Sequence, residues 1–125
     1  MFYSGVCFGT NNLEEAGKFY DVVFKSINVV RCQTTENEIG YGYSIEEECF
    51  WVIKPFNKKP ATRGNGSQMI ITANSKDEVD LFYEIALKAG GQSDGAPGLR
   101  DHTPNYYGAY IKDLDGNKIH IYKII

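Results

Sequence analysis

Apolar and polar positions alternate along this chain with two periods, and the changes between them mark out its elements. In NNLEEAGKFYDVVFK, from Asn11 to Lys25, the apolar residues Ala16, Phe19 and Val23 recur at three and four positions. In NSKDEVDLFYEIALK, from Asn74 to Lys88, Val79, Phe82 and Ala86 do the same, and Ala89 continues the series. A 3.6-residue period places each set on one face of a helix. Ser75 with Glu78 makes a capping box, and Asn12 with Glu15 imitates it. Gly90-Gly91 stops the second helix. Helices are therefore expected near residues 12–25 and 75–89.

Shorter runs of β-branched and aromatic residues flank them. GVCFGT precedes the first helix, and INVVRCQ, EIGYGYS and CFWVIKP follow it. QMIITA precedes the second, followed by a weak strand around GGQSD and then by YYGAYIKD and KIHIYKI. These read as strands, with Gly, Asn, Asp and Pro in the loops between them. Each half is thus β-α-β-β-β, joined by FNKKPATRGNGS, Phe56 to Ser67.

The halves are copies of one another. Sliding the chain on itself by 63 residues lays residues 11–25 over 74–88, with Asn, Glu, Phe, Tyr and Lys identical at matching places. Duplication of one supersecondary unit explains this. The expected organisation is a single α+β domain over residues 1–125, with module 1 at about 1–57 and module 2 at about 66–125.

Composition narrows the partners. The formal charge of -3 is spread along the chain without a block of five like charges, which argues against nucleic acid and against a membrane surface. Small, neutral or cationic partners remain. Cys7, Cys32 and Cys49 are odd in number and form no CxxC pair, and no apolar stretch reaches the length of a signal or membrane segment. The expected setting is a reducing cytoplasm. No Ser/His/Asp, P-loop or dinucleotide signature is present.

The tail DLDGNKIHIYKII, Asp113 to Ile125, carries acidic residues at alternate positions, as a calcium loop does. Such a loop needs a bidentate carboxylate eleven residues after Asp113, where this chain has Ile124. Asp-Gly between two alternating apolar runs is instead a hairpin turn. His120 then lies on the strand after the turn, sharing a face with Lys118 and Tyr122, while Ile119 and Ile121 face the helices.

Three segments resemble the glyoxalase I / bleomycin-resistance / extradiol-dioxygenase superfamily, also called the vicinal oxygen chelate superfamily. They are the opening FGTNNLEEAGKFYD, the step GNGSQMIITA and the ending YYGAYIKDLDGNKIHIY, and the likeness spans essentially the whole chain. It implies two repeated βαβββ modules curled into a cupped half-barrel, with helices outside and a pocket on the concave side; the cup is completed either within one chain or by a second subunit, and the expected assembly is a homodimer. In the metal-dependent members it implies four ligand positions drawn from His, Glu and Gln. Here these fall on Gly5, Trp51, Gln68 and His120. The repeat agrees, since the same offset of 63 carries Gly5 onto Gln68.

A catalytic divalent ion usually takes at least three protein ligands and keeps one position open. Glycine and tryptophan offer none, so the expectation is no metal and no other cofactor. If the alignment holds, Gly5→His with Trp51→Glu should rebuild a four-ligand set. Cys7 and Cys49 share faces with Gly5 and Trp51 but are displaced by about 6.5 Å along their strands. They read as small buried thiols of the core, with an altered metal centre as the other reading.

Further candidates sit in the segment Gly95 to Tyr110, where Arg100 and His102 flank a Pro- and Gly-rich turn and could supply a cation to a carboxylate or phosphate. Tyr106, Tyr107 and Tyr110 alternate between faces. The site residues expected are His120 as the catalytic candidate, and Gln68, Trp51, Arg100, His102, Tyr107 and Tyr122 as ligand-binding. Tyr41 or Tyr43 would complete an aromatic wall suited to flat or partly cationic molecules. Arg63 is given no role. The functional expectation is a metal-free small-molecule binder. The runner-up is a metal-dependent lyase or isomerase of the glyoxalase I kind, and a cofactor-free enzyme using His120 as base stands beside it.

Overall fold

A computed structural model describes residues 2–125, and its elements follow the repeat. The first module runs β1 (Val6–Gly9), α1 (Leu13–Lys25), β2 (Val30–Thr34), β3 (Glu38–Gly42) and β4 (Glu48–Ile53). The second runs β5 (Gln68–Thr72), α2 (Lys76–Lys88), β6 (Gln92–Leu99), β7 (Tyr106–Lys112) and β8 (Lys118–Ile124). Each module forms a four-stranded mixed sheet, ordered β1-β4-β3-β2 and β5-β8-β7-β6. β1 pairs with β4 and β5 with β8 in parallel, and the remaining pairs are antiparallel. The sheets curve without closing, which gives the two-module cupped α+β fold.

Both helices start where the caps place them. The side chain of Asn12 accepts from the Glu15 N–H at 3.1 Å, and that of Ser75 accepts from the Glu78 N–H at 3.1 Å. Glu78 reaches back to the N–H of Asn74, one residue before the cap, at 3.0 Å. At the end of α2 the N–H groups of Gly90 and Gly91 bond to Leu87 and Ala86, with Gly90 at φ 105°. Only a residue tolerant of the left-handed region closes a helix this way.

The helix-side faces of both sheets share one core. Phe19, Tyr20, Val23 and Phe24 of α1 and Val79, Phe82 and Ala86 of α2 are buried in the same cluster as Phe50, Val52, Ile111, Ile119 and Ile121. α1 also packs on α2. Burying this apolar surface, at about 25 cal/mol per Å², is the main favourable contribution to stability.

Two expectations change here. The weak strand around GGQSD is an eight-residue strand that continues through Gly95, Pro97 and Leu99, with register shifts between Ser93 and Gly95 and between Gly95 and Gly98. Bulges absorb the Gly and Pro that read as a loop. Cys7 and Cys49 are exposed, because the pleat that turns Phe8 and Phe50 inward turns them outward.

Candidate ligand site on the second sheet

β7 and β8 build the site. On β8 the pleat sends Ile119 and Ile121 to the core and Lys118, His120 and Tyr122 to the concave face. On β7 it sends Ala109 and Ile111 to the core, leaving Tyr106, Gly108 and Tyr110 on the concave face. The register sets Tyr110 opposite His120 and Gly108 opposite Tyr122. A Cβ at position 108 would meet the Tyr106 ring at 3.3 Å and His120 Nε2 at 3.4 Å. Glycine there is what lets the Tyr106 ring lie across to β8.

The result is an imidazole walled by tyrosines. The Tyr106 hydroxyl lies 2.9 Å from His120 Nε2, and the Tyr106 ring stacks on Tyr122 at 4.4 Å and 6°. Tyr110 stacks on His120 itself, 4.2 Å between centroids at 30°. His102 packs against Tyr106 at 4.6 Å. His120 is only 4% exposed, and its Nδ1 is buried without a hydrogen-bond partner.

Charge follows from that enclosure. Burial, and after it the positive surroundings of His102, Lys118 and Arg100, lower the His120 pKa to about 4. The ring is therefore neutral at pH 7. Burial, with Tyr110 and Tyr122 nearby, pushes the Tyr106 phenol up. Cations flank Tyr110: the Arg100 guanidinium lies 5.1 Å from its ring centroid and Lys118 Nζ 4.9 Å. Arg100 is held by its Nη2 donating to the Ala96 carbonyl at 2.6 Å and by its N–H donating to the Tyr106 carbonyl at 2.9 Å. A cationic ligand would meet repulsion here.

Of the residues expected from sequence, His120, Tyr122, Arg100 and His102 come together around Tyr106 and Tyr110. Gln68 sits on the edge strand opposite Lys118 and is exposed. Tyr107 stands apart. The pleat turns it to the helix side, where its hydroxyl donates to Asp80 of α2 at 2.5 Å and Lys76 Nζ lies 4.8 Å from its ring centroid. That bond to Asp80, with burial, pushes its phenol up to about 12. Tyr41 is also on the helix side, fully buried and bonded to Asp21 at 2.9 Å, while Tyr43 is exposed.

Trp51 lies on the first sheet, at the place matching His120. It pairs with Cys7 as His120 pairs with Ile70, and residues 7 and 70 are related by the repeat. Gly40 stands opposite Trp51 where Tyr110 stands opposite His120. The Glu48 carboxylate occupies the space a side chain at position 40 would need, and the Trp51 indole nitrogen lies 2.9 Å from that point. Glu48 Oε1 is buried without a partner. Sequence reasoning missed Glu48, because a register shift between Tyr41 and Gly42 carries it onto this face.

At Gly5 a Cβ would collide with the Cys49 carbonyl and come 2.6 Å from the Trp51 ring. Among the described residues, no group of three or more His, Cys, Asp or Glu side chains could hold a metal ion.

No protein-family model and no curated protein matches this sequence. Among solved structures, the chain is similar to a glyoxalase/bleomycin resistance protein from Albidiferax ferrireducens T118, with 32% identity, 98% of each chain covered and a TM-score of 0.87. It is similar in fold to a lactoylglutathione lyase from Agrobacterium tumefaciens, at 18% identity over 97% of this chain and 92% of that one, TM-score 0.65. A genomically encoded fosfomycin resistance protein, FosX, from Listeria monocytogenes shares the fold at 14% identity over 98% and 93% of the two chains, TM-score 0.70.

Proposed function

The chain belongs to the glyoxalase/bleomycin-resistance family, and within that family we propose that it is a metal-independent small-molecule binder. Its ligand is a flat, neutral or anionic molecule seated against His120, Tyr106 and Tyr122. The observation that carries this reading is the commitment of His120 to its own wall: Nε2 pairs with the Tyr106 hydroxyl at 2.9 Å and the ring is stacked on Tyr110.

The donor set supports the same reading. Of the four positions implied by the family likeness, Gly5 and Trp51 provide no donor, Gln68 an amide oxygen, and His120 an Nε2 already hydrogen bonded and a buried Nδ1. Two donors do not fit a catalytic divalent ion, which takes three protein ligands and an open position. His120 is also a weak base with a pKa of about 4, far from the value matched to proton transfer at neutral pH. It serves better as a neutral lining group.

Each module spends its helix side on the shared core and leaves its concave side open. β1 and β5 are free edges. A second copy would set the Trp51 face of one chain against the His120 face of the other and complete the cup, so the working unit is a homodimer. Three free thiols suit a reducing, cytoplasmic setting. Among the described residues no helix is long and apolar enough to cross a membrane.

The second reading, a metal-dependent lyase or isomerase of the glyoxalase I kind, draws on the unpartnered Glu48 oxygen beside Trp51. Elemental analysis of protein purified without chelator or affinity metal separates the two. The binder reading expects well under one equivalent of divalent metal and no turnover of a hemithioacetal. Stoichiometric metal that is lost on His120→Ala and on Glu48→Gln, together with turnover, overturns it in favour of the enzyme.

A further inference from the structure

A cavity of about 330 Å³ lies where the linker returns to β5, beside the aromatic wall. Its lining brings three cations, Arg63, Lys112 and Lys118, against a single carboxylate, Asp94, in a chain whose formal charge is -3. Lys112 and Lys118 are directly opposite one another on β7 and β8. Like charges at opposed positions repel and destabilise a hairpin. Asp94 pairs directly with one of them, its Oδ2 lying 3.0 Å from Lys118 Nζ, and only the field of Lys112 reaches it. Among the described residues no carboxylate comes within ion-pair distance of Lys112 or Arg63.

Arg63 is placed there by the hairpin turn. A Cβ at Gly116 would lie 3.2 Å from Arg63 Cδ and 3.4 Å from its Nη1, so the arginine packs over the turn that joins the two lysines. The rest of the lining is glycine with Asn65, Ser67 and Gln68, and no apolar side chain contributes. A net charge of two positives in a concave cavity lined by charged, amide, hydroxyl and glycine residues disfavours cations and favours an anion. A doubly charged or bidentate oxyanion would offset the repulsion.

We infer that this cavity is a binding site for a small oxyanion, a carboxylate or a phosphate group. Lys118 precedes His120 by two residues on the same face, about 6.5 Å along the strand. A ligand laid along β8 therefore places its anionic end in the cavity and its flat body on the Tyr106 and Tyr122 rings. That extension rests on the proposed function, whereas the oxyanion site does not.

The test is calorimetric titration of the full chain with inorganic phosphate and, separately, malonate at constant ionic strength. One-to-one saturable binding per chain is expected, weakened at least tenfold by Lys112→Gln and by Arg63→Gln, and unaltered by Lys88→Gln on the exposed face of α2. Tighter phosphate identifies a phosphate site, and tighter malonate a carboxylate site. Lys112→Gln should also raise the Tm without oxyanion, since it removes the cross-strand repulsion and shows the hairpin intact. Failure of both ions to bind, or binding that Lys112→Gln and Arg63→Gln leave unchanged, overturns the inference. A metal-loaded, active protein with an intact phosphate site would refute the binder reading alone.

Discussion

The hydroxyl of Tyr20 in α1 donates to the carboxylate of Asp113 at 2.5 Å, although 93 positions separate the two residues. Asp113 is 4% exposed and also accepts from the N–H groups of Asp115 and Asn117 at 2.9 and 2.8 Å, and from Asn117 Nδ2 at 2.9 Å. The same amide donates to the Gly9 carbonyl at 3.1 Å. The run that reads as a calcium loop is thus a hairpin turn, with Gly116 at φ 88°, and also a clasp between the modules. Burial raises the Asp113 pKa against the hydrogen bonds that lower it. Burial and the Asp113 charge hold the Tyr20 phenol well above its usual range.

Removing one side of this clasp measures it. Tyr20→Phe deletes a donor to a carboxylate that keeps its other partners, and should lower the unfolding free energy by about 1.5–3 kcal/mol. Asp113→Ala strands the Tyr20 hydroxyl and the turn N–H groups in the interior and should cost more than Tyr20→Phe. Urea midpoints at constant m-value check the order. A larger loss from Tyr20→Phe would refute it.

His120 should make stability depend on pH in a defined window. Its native pKa of about 4 lies below the ordinary imidazole value of 6.5, so between these values the unfolded chain binds the proton that the folded chain excludes. Stability present above pH 6.5 is lost as pH falls toward 4. His120→Gln removes this contribution. The difference in Tm between the two proteins should change with pH inside the window and be flat above it, and a difference that does not vary with pH would contradict the enclosure.

The rebuilt metal site read from the sequence meets a steric obstacle. In Gly5→His with Trp51→Glu the tryptophan ring is gone, yet the Cys49 carbonyl still occupies the space of the new Cβ. We expect the double variant to melt below the parent and to show no zinc-dependent rise in Tm. A rise following RT ln(1 + [Zn]/Kd) would show that the strand start can move.

Light scattering at high micromolar concentration should give twice the chain mass of 14.1 kDa. A strict monomer would leave the cup of the proposed binder without its second wall.

Local chemistry determined a large part of this protein. Apolar residues at 3.6 and 2.0 periods, Asn12 and Ser75 as caps and Gly90 as a stop placed both helices to within a residue or two. The offset of 63 related β1 and α1 to β5 and α2 and paired Gly5 with Gln68, while runs of β-branched and aromatic residues marked the other strands. The side of β8 that carries His120 follows from the alternation of Ile119 and Ile121 around it. These features depend on neighbours within one turn or one pleat, which is why a single chain of letters reveals them.

Long-range register decided the rest. Tyr106, Tyr107 and Tyr110 alternate in any strand, but only the packing of α2 on β7 shows which side is concave, and it gives Tyr107 to Asp80. Lys112 and Lys118 are six residues apart in sequence and become a repelling pair once the turn sets the hairpin register. Arg63, unremarkable in a linker, gains its place from contact with a turn 53 residues away. Asp113 finds Tyr20 only because two modules dock through their helices. Such placements are set by the burial free energy of the whole fold, and no local pattern records which distant partner that burial will bring.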